Sequence, residues 1–303
     1  MLTLIVHPFI THKKAESPDD CQDAFNVNED KCRYAIADGA TRSFFPKWWA
    51  ELLVQHFCDT PDFSFEDGNW KQWLVPIQQK WYERVEEIVK TQNKFYLTNS
   101  FNAKDPAVST FIGLEVDKTK GKWQAIIIGD SCLFHKSNTQ FKSYLIDKSE
   151  DFTNCPDAFV SFAEKNHYDP KFIHGEFQTG DILILATDAL AKWVIEHEET
   201  GNLDIVLDRF RQLGSQDEFN GFVDQERSNE NIRLVNDDVT LILISVRGND
   251  QQGSSDIKTL KDEKKQGNIL DSLFWVVFIG FLGFWACRGM YRFIRDFILT
   301  LTE

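Results

Sequence analysis

Carboxylates recur in this chain at the ends of short apolar runs. YAIADG (34–39) ends on Asp38 with Gly39 behind it, IIIGDS (126–131) on Asp130, and LILATD (183–188) on Asp188. RLVNDDVTLILI (233–244) sets Asp237 and Asp238 just before such a run, and DDCQDAF (19–25) sets Asp23 before another. Apolar runs of this length read as buried strands. Singly, each acid is an ordinary turn or cap residue, because Asp suits both and Asp-Gly is a common turn pair. Together they place acids at five sheet ends. If those ends gather on one edge, the carboxylates repel one another unless cations sit between them. A ligand set of oxygens without His or Cys suits hard ions, Mg²⁺, Mn²⁺ or Ca²⁺. Two such ions can hold a shared water, lower its pKa and aim it at phosphorus.

The elements that must position these acids follow from the pattern. AFNVN (24–28) and RYAIA (33–37) read as strands of a hairpin, and Pro46 opens a helix, PKWWAELLVQHF, with Trp49, Leu52, Leu53 and His56 on one face. A second helix is predicted over about 70–91, where Trp73, Ile77, Trp81, Val85, Ile88 and Val89 recur at helical spacing and Pro76 bends it or marks its start. Strands are predicted over 108–116, 123–130, 132–136, 141–146, 181–188 and 237–246, with an irregular stretch at 147–178 and helices over 189–199 and much of 203–231. Hairpin strands with helices grouped between them give an α+β class, with helices on the sheet faces.

The totals exclude several functions. Of 303 residues 42% are apolar, including 26 Phe and 9 Trp, which is enough for a large core and excludes general disorder. The net charge is −14 and belongs to the body, since the residues beyond 250 are nearly balanced. An acidic body argues against nucleic acid as a partner. Cys21, Cys32, Cys58, Cys132, Cys155 and Cys287 form no CxxC pair and no zinc spacing. With no export signal read at MLTLIVHPFITHKK, they imply a reducing compartment and a cytoplasmic body.

In order, CQDAF (21–25), ADGAT (37–41), IGDS (128–131), LATDAL (185–190) and NDDVT (236–240) resemble the metal-dependent type 2C serine/threonine protein phosphatases in their divergent bacterial form. The resemblance covers about residues 15–247. It implies two packed antiparallel β-sheets, a β-sandwich, with α-helices on both outer faces. It implies two Mg²⁺ or Mn²⁺ ions, with Asp38 bridging both, the Gly39 carbonyl on the second, and Asp188 and Asp237 on the first. Asp23 would act through water on the metals, Asp130 would serve a third ion, and Asp238 is a further candidate ligand. Asp38, Asp188 and Asp237 form the catalytic set, Arg42 is the candidate phosphate-binding residue, with Lys14 as its alternative, and phosphorylated proteins are the implied substrates. The chain departs from the family pattern at Pro18, Gln22, Ala40, Ala189, Lys192 and Asp238. Gln22, Ala189 and Lys192 define an alternative, a catalytically impaired relative acting as a binding module. A second alternative sets the family aside and reads a cation-binding membrane adaptor.

The organisation is therefore a phosphatase-like domain over 1–247 and a polar linker over 248–268. A membrane-spanning helix is expected over 269–291, and a short amphipathic tail over 292–303. SLFWVVFIGFLGFWAC (272–287) carries no charge, and with its flanks reaches the roughly 20 residues that span a bilayer. Trp275, Trp285 and Tyr291 suit interfacial belts, so a lipid bilayer is the second expected partner.

Overall fold

The computed structural model describes residues 2–60, 63–65 and 69–248. In chain order the elements are β1 (Leu2–Thr11), β2 (Asp23–Asn28), β3 (Arg33–Gly39), α1 (Pro46–Asp59), α2 (Asn69–Gln92), α3 (Phe95–Asn102), β4 (Val108–Asp117), β5 (Lys122–Ile128), β6 (Cys132–Lys136) and β7 (Phe141–Tyr144). There follow β8 (Phe159–Val160), β9 (Lys171–Glu176), β10 (Ile182–Ala186), α4 (Asp188–Glu199), α5 (Leu203–Gln212), α6 (Gln216–Arg227) and β11 (Val239–Gly248). One antiparallel sheet runs β1-β11-β10-β6-β7, and the other runs β2-β3-β4-β5-β9 with β8 beside β4.

Strand alternation sorts the side chains into three apolar layers. Tyr34, Ile36, Ile112, Leu114, Leu183, Leu185, Ile242 and Ile244 come from both sheets and pack together, so they fill the space between them. The alternate positions Ala35, Ala37, Phe111, Ile126 and Ile128 of the same sheet face the other way, onto Trp49, Leu53 and Phe57 of α1 and Trp73, Ile77 and Trp81 of α2. On the opposite flank Ile182, Ile184, Leu241 and Leu243 pack against Trp193 of α4, Phe210 of α5 and Phe219 of α6. Each fully buried side chain of this size contributes roughly 1.5–3 kcal/mol. The architecture is thus α+β, two antiparallel sheets with helices on both outer faces.

Several expectations needed correction. The first strand lies over Leu2–Thr11, where none was expected, and Pro8 is tolerated there because β1 is an edge strand bonded only to β11. The stretch read as irregular contains β8 and β9, which are short or exposed edge strands without an apolar run. Pro76 neither starts nor ends α2, and buried Trp73, Leu74 and Ile77 on either side hold the helix through it. The buried stripe of α1 is Trp49, Leu53 and Phe57 with Ala50, Val54 and Cys58, so Leu52 and His56 lie at its margin. Among the described residues no helix is long and apolar enough to cross a membrane. The linker over 248–268 falls outside the described residues except Gly248, as do the 269–291 span and the 292–303 tail.

Candidate metal centre

At one end of the sandwich the inward-facing positions change from apolar to oxygen-bearing without any break in alternation. On β3 the series Tyr34, Ile36 continues to Asp38, and on β4 Ile112 is preceded by Thr110. Asp23 of β2 lies opposite Asp38, and Asp38 lies opposite Thr110. From the other sheet, Leu183 and Leu185 continue to Thr187, while Ile242 is preceded by Thr240. Strand register within each sheet, with the packing of the two sheets face to face, therefore brings acids and hydroxyls of both to one place.

The two sheets are bonded there. Asp23 Oδ2 accepts from Thr187 Oγ1 at 2.9 Å and from Thr240 Oγ1 at 2.8 Å, and Thr187 Oγ1 accepts from the Thr240 amide at 2.9 Å. Asp238 is buried and serves the chain's own backbone: Oδ1 accepts from Lys13 N at 3.0 Å and Oδ2 from Gln22 N at 2.8 Å. Arg227 of α6 donates to the carbonyls of His12 and Asp237, tying the entry of β11 to the exit of β1.

Glycine is required at two of these turns. A Cβ on Gly39 would stand 2.9 Å from the Gln22 carbonyl oxygen and from the Pro46 carbonyl group, so the backbone passes where no side chain fits. Gly129 has φ +101, and a Cβ there would meet Thr110 at 2.5 Å. It turns the chain out of β5 and delivers Asp130 toward the same end of the sandwich as Asp38 and Asp188.

Asp38, Asp130, Asp188 and Asp237 line one cleft of about 940 Å³, together with Thr41 and Arg42 on the loop after β3 and Asn154 and Cys155 on the segment before β8. Asp188 is the first residue of α4, where the helix dipole favours an anion, and its Oδ1 accepts from the Ala189 amide at 2.6 Å. Burial pushes Asp38 well above the ordinary carboxylate range, and the charges of Asp23, Asp188, Asp237 and Asp130 add to it. Burial, then Asp188, raises Asp130 to about 7, and burial, then Asp237, raises Asp188 to about 6. Asp23 is raised by burial and by Asp238.

One cation already lies among them. Lys13 Nζ is 2.9 Å from Asp237 Oδ1 and 4.0 Å from Asp238 Oδ2, and donates to Thr41 Oγ1 at 3.1 Å. Burial alone would lower its pKa, but the hydrogen bond and charge of Asp237, with Asp238 and Glu16, hold it above the usual value.

The residues fit hard divalent ions. The donors are all oxygens, and Asp130 Oδ1 and Asp23 Oδ1 are buried without a hydrogen-bond partner. Among the described residues, however, no three acidic, His or Cys side chains already converge as one coordination sphere. Of the expected site residues, Asp38, Asp130, Asp188, Asp237 and Arg42 share the cleft. Asp23 lies in the seam between the sheets, Asp238 accepts from backbone amides, and Gly39 is closely packed with its amide donating to the Gln22 carbonyl oxygen. Lys14 is exposed, its amide bonded to Asn236 Oδ1. Sequence reasoning missed Lys13, Thr187, Thr240 and Arg227. The two threonines were accessible to it, as the next inward positions of strands already recognised. Nothing in the spacing of HKKAE separates Lys13 from Lys14.

No protein-family model matches the chain, and no curated protein matches it. Solved structures do. PppA, described as a key regulatory component of T6SS in Pseudomonas aeruginosa, is 11% identical with a TM-score of 0.55, over 80% of this chain and 97% of that one. The serine/threonine phosphatase Stp1 from Staphylococcus aureus is 14% identical with a TM-score of 0.54, over 81% and 96%. The catalytic domain of the serine/threonine phosphatase PstP, in complex with two manganese ions, is 12% identical with a TM-score of 0.52, over 82% and 100%. At such identities the likeness is one of fold: this chain shares the fold of these structures, two of them serine/threonine phosphatases.

Proposed function

We propose that this chain is a metal-dependent phosphoprotein phosphatase of the type 2C family, hydrolysing phosphoserine and phosphothreonine esters. The observation that carries the reading is the meeting of Asp38, Asp130, Asp188 and Asp237 in one cleft, with Arg42 beside them, on a fold shared with serine/threonine phosphatases. Asp38, Asp188 and Asp237, with the Gly39 carbonyl, would hold two Mg²⁺ or Mn²⁺ ions, and Asp130 a third. Bound there, the ions would lower the pKa of water and neutralise charge on the phosphoryl group. Arg42 presents a planar fork that matches phosphate oxygens. Asp23, held by Thr187 and Thr240, fixes the two sheet ends against each other. Ala40 follows Gly39, so the proton for the leaving alkoxide comes from solvent rather than from that side chain.

A second reading is favoured by the Lys13–Asp237 ion pair together with Gln22, Ala189 and Lys192. It keeps the fold and makes the domain a binding module without turnover. One experiment separates the two: phosphate release from a phosphothreonine peptide and an aryl phosphate, in Mn²⁺, in Mg²⁺ and in chelator. The phosphatase requires turnover that depends on the metal and is abolished in Asp38→Asn. A folded protein that binds Mn²⁺ without turnover establishes the binding module instead.

The uncharged run 272–287 supports membrane attachment through 269–291, with the domain on the cytosolic side near membrane-bound substrates. Co-flotation of the chain with liposomes, lost on removal of residues 269–303, tests the attachment. Protection of the domain from external protease tests its side.

A further inference from the structure

The placement of Lys13 is more specific than that of a surface lysine. Its amide is fixed by Asp238 Oδ1 at 3.0 Å, so the root of the side chain is pinned at the exit of β1. From there the stem crosses to Asp237, ahead of β11, and to Thr41, on the loop that follows Gly39. The ammonium thus joins the two sheet ends that supply Asp38 and Asp237. Its partner is a cleft carboxylate that the phosphatase reading assigns to a metal ion. A divalent ion on that carboxylate meets the positive charge of the lysine at contact range, and the two cations cannot share Asp237 without strong repulsion.

We propose that Lys13 is a built-in counter-cation of this centre: it neutralises Asp237 in the metal-free protein, and a divalent ion gains Asp237 only by displacing the ammonium. The inference rests on the phosphatase reading of the cleft. Lysine suits the part. Its four-carbon stem is flexible, its ammonium is compact and readily rehydrated, and its side chain is already 17% exposed, so the displaced group has a short path to water. An arginine would hold the carboxylate through a rigid fork and release it less readily. Lys13 therefore sets how much metal the protein needs, and it keeps the acidic cleft folded when metal is scarce.

The test is a calorimetric Mn²⁺ titration of the full chain, wild type beside Lys13→Met and Lys13→Arg. Displacement requires Lys13→Met to bind Mn²⁺ about tenfold more tightly or better, while Lys13→Arg binds no more tightly than wild type. Equal or weaker binding by folded Lys13→Met overturns the proposal and leaves the metal centre standing. Mn²⁺ binding by Lys13→Met alone would support displacement in its extreme form. Absence of Mn²⁺ binding in all three proteins overturns the metal centre and this proposal with it. A second measurement needs no variant: acetylation of wild-type lysines read residue by residue by mass spectrometry. Lys13 should react several-fold faster in saturating Mn²⁺ than in chelator, with exposed Lys14 as the internal reference. Equal reactivity of Lys13 in the two conditions overturns displacement even if Lys13→Met fails to fold.

Discussion

The hydroxyl of Thr187, one residue past the end of β10, donates to Asp23 Oδ2 on β2 of the opposite sheet at 2.9 Å. Thr240 makes the same bond from β11 at 2.8 Å, so a single carboxylate oxygen collects both strands of one sheet on the edge strand of the other. Further into the sandwich the same inward positions are Leu185, Ile242 and Phe25, which hold the sheets apart by packing alone. At the cleft the fold exchanges apolar packing for hydrogen bonds to a buried acid. The neighbouring acids are thereby held at fixed separation despite their mutual repulsion.

Removing either donor leaves that buried carboxylate less satisfied. Thr187→Val and Thr240→Val keep the side-chain volume and should each cost about 1–3 kcal/mol in denaturant unfolding. The double variant should cost less than the sum, because both hydroxyls serve one oxygen and Thr187 also accepts from the Thr240 amide. Strict additivity would show that the two bonds act separately.

Gly39 and Gly221 should respond in opposite directions to alanine. At Gly39 the added methyl would meet the Gln22 carbonyl oxygen and the Pro46 carbonyl group at 2.9 Å, and backbone atoms cannot swing aside. Gly39→Ala should destabilise by at least about 1–3 kcal/mol. Gly221 lies within α6 with open space around it, so Gly221→Ala should stabilise by about 0.5–1 kcal/mol. Thermal melts of both variants check the pair.

The contrast between what the sequence announced and what it concealed follows the physics of burial. β3, β4, β5, β10 and β11 are buried apolar runs, and each was readable, all but β4 with a candidate acid at its end. β1 and β9 are edge strands, bonded on one side only and half exposed, so they carry no comparable run. The acids of the cleft were legible as residue types, and their convergence only through the family resemblance. That convergence depends on strand register, which pairs Asp23 with Asp38 and Asp38 with Thr110, and on the packing of one sheet on the other, and no local pattern encodes either. Lys13 was hidden for a related reason: its partners Asp237 and Thr41 lie far from it along the chain.

Without metal, the protein should lose stability as pH rises. Asp130 and Asp188 have folded pKa values of about 7 and about 6, raised by burial and then by neighbouring acids, against an unfolded value near 3.8. Between those limits the folded state binds more protons than the unfolded state, so unfolding free energy declines as pH rises through this window. Thermal melts in chelator should therefore give a lower Tm at pH 8 than at pH 5. Millimolar Mn²⁺ at pH 8 should restore much of the difference by neutralising the same carboxylates. A Tm that rises from pH 5 to pH 8 in chelator would contradict the repulsion on which the metal centre is argued.

Arg42 is exposed on the loop after β3 and lines the cleft that holds the four acids. Phosphate held by its guanidinium in both ground and transition states would be uniform binding, which enters KM and not kcat. Arg42→Ala should therefore raise KM for a phosphothreonine peptide by roughly tenfold with kcat changed by less than about threefold, the cost of one charge-assisted contact at a partly solvated site. Arg42→Lys should recover part of the loss, since it restores the charge without the planar fork. Inhibition by inorganic phosphate should weaken in parallel with KM, because the product carries the same oxygens. Should Arg42→Ala lower kcat and leave both KM and phosphate inhibition unchanged, Arg42 would be acting on the transition state alone, and the ground-state phosphate contact would belong to another cation.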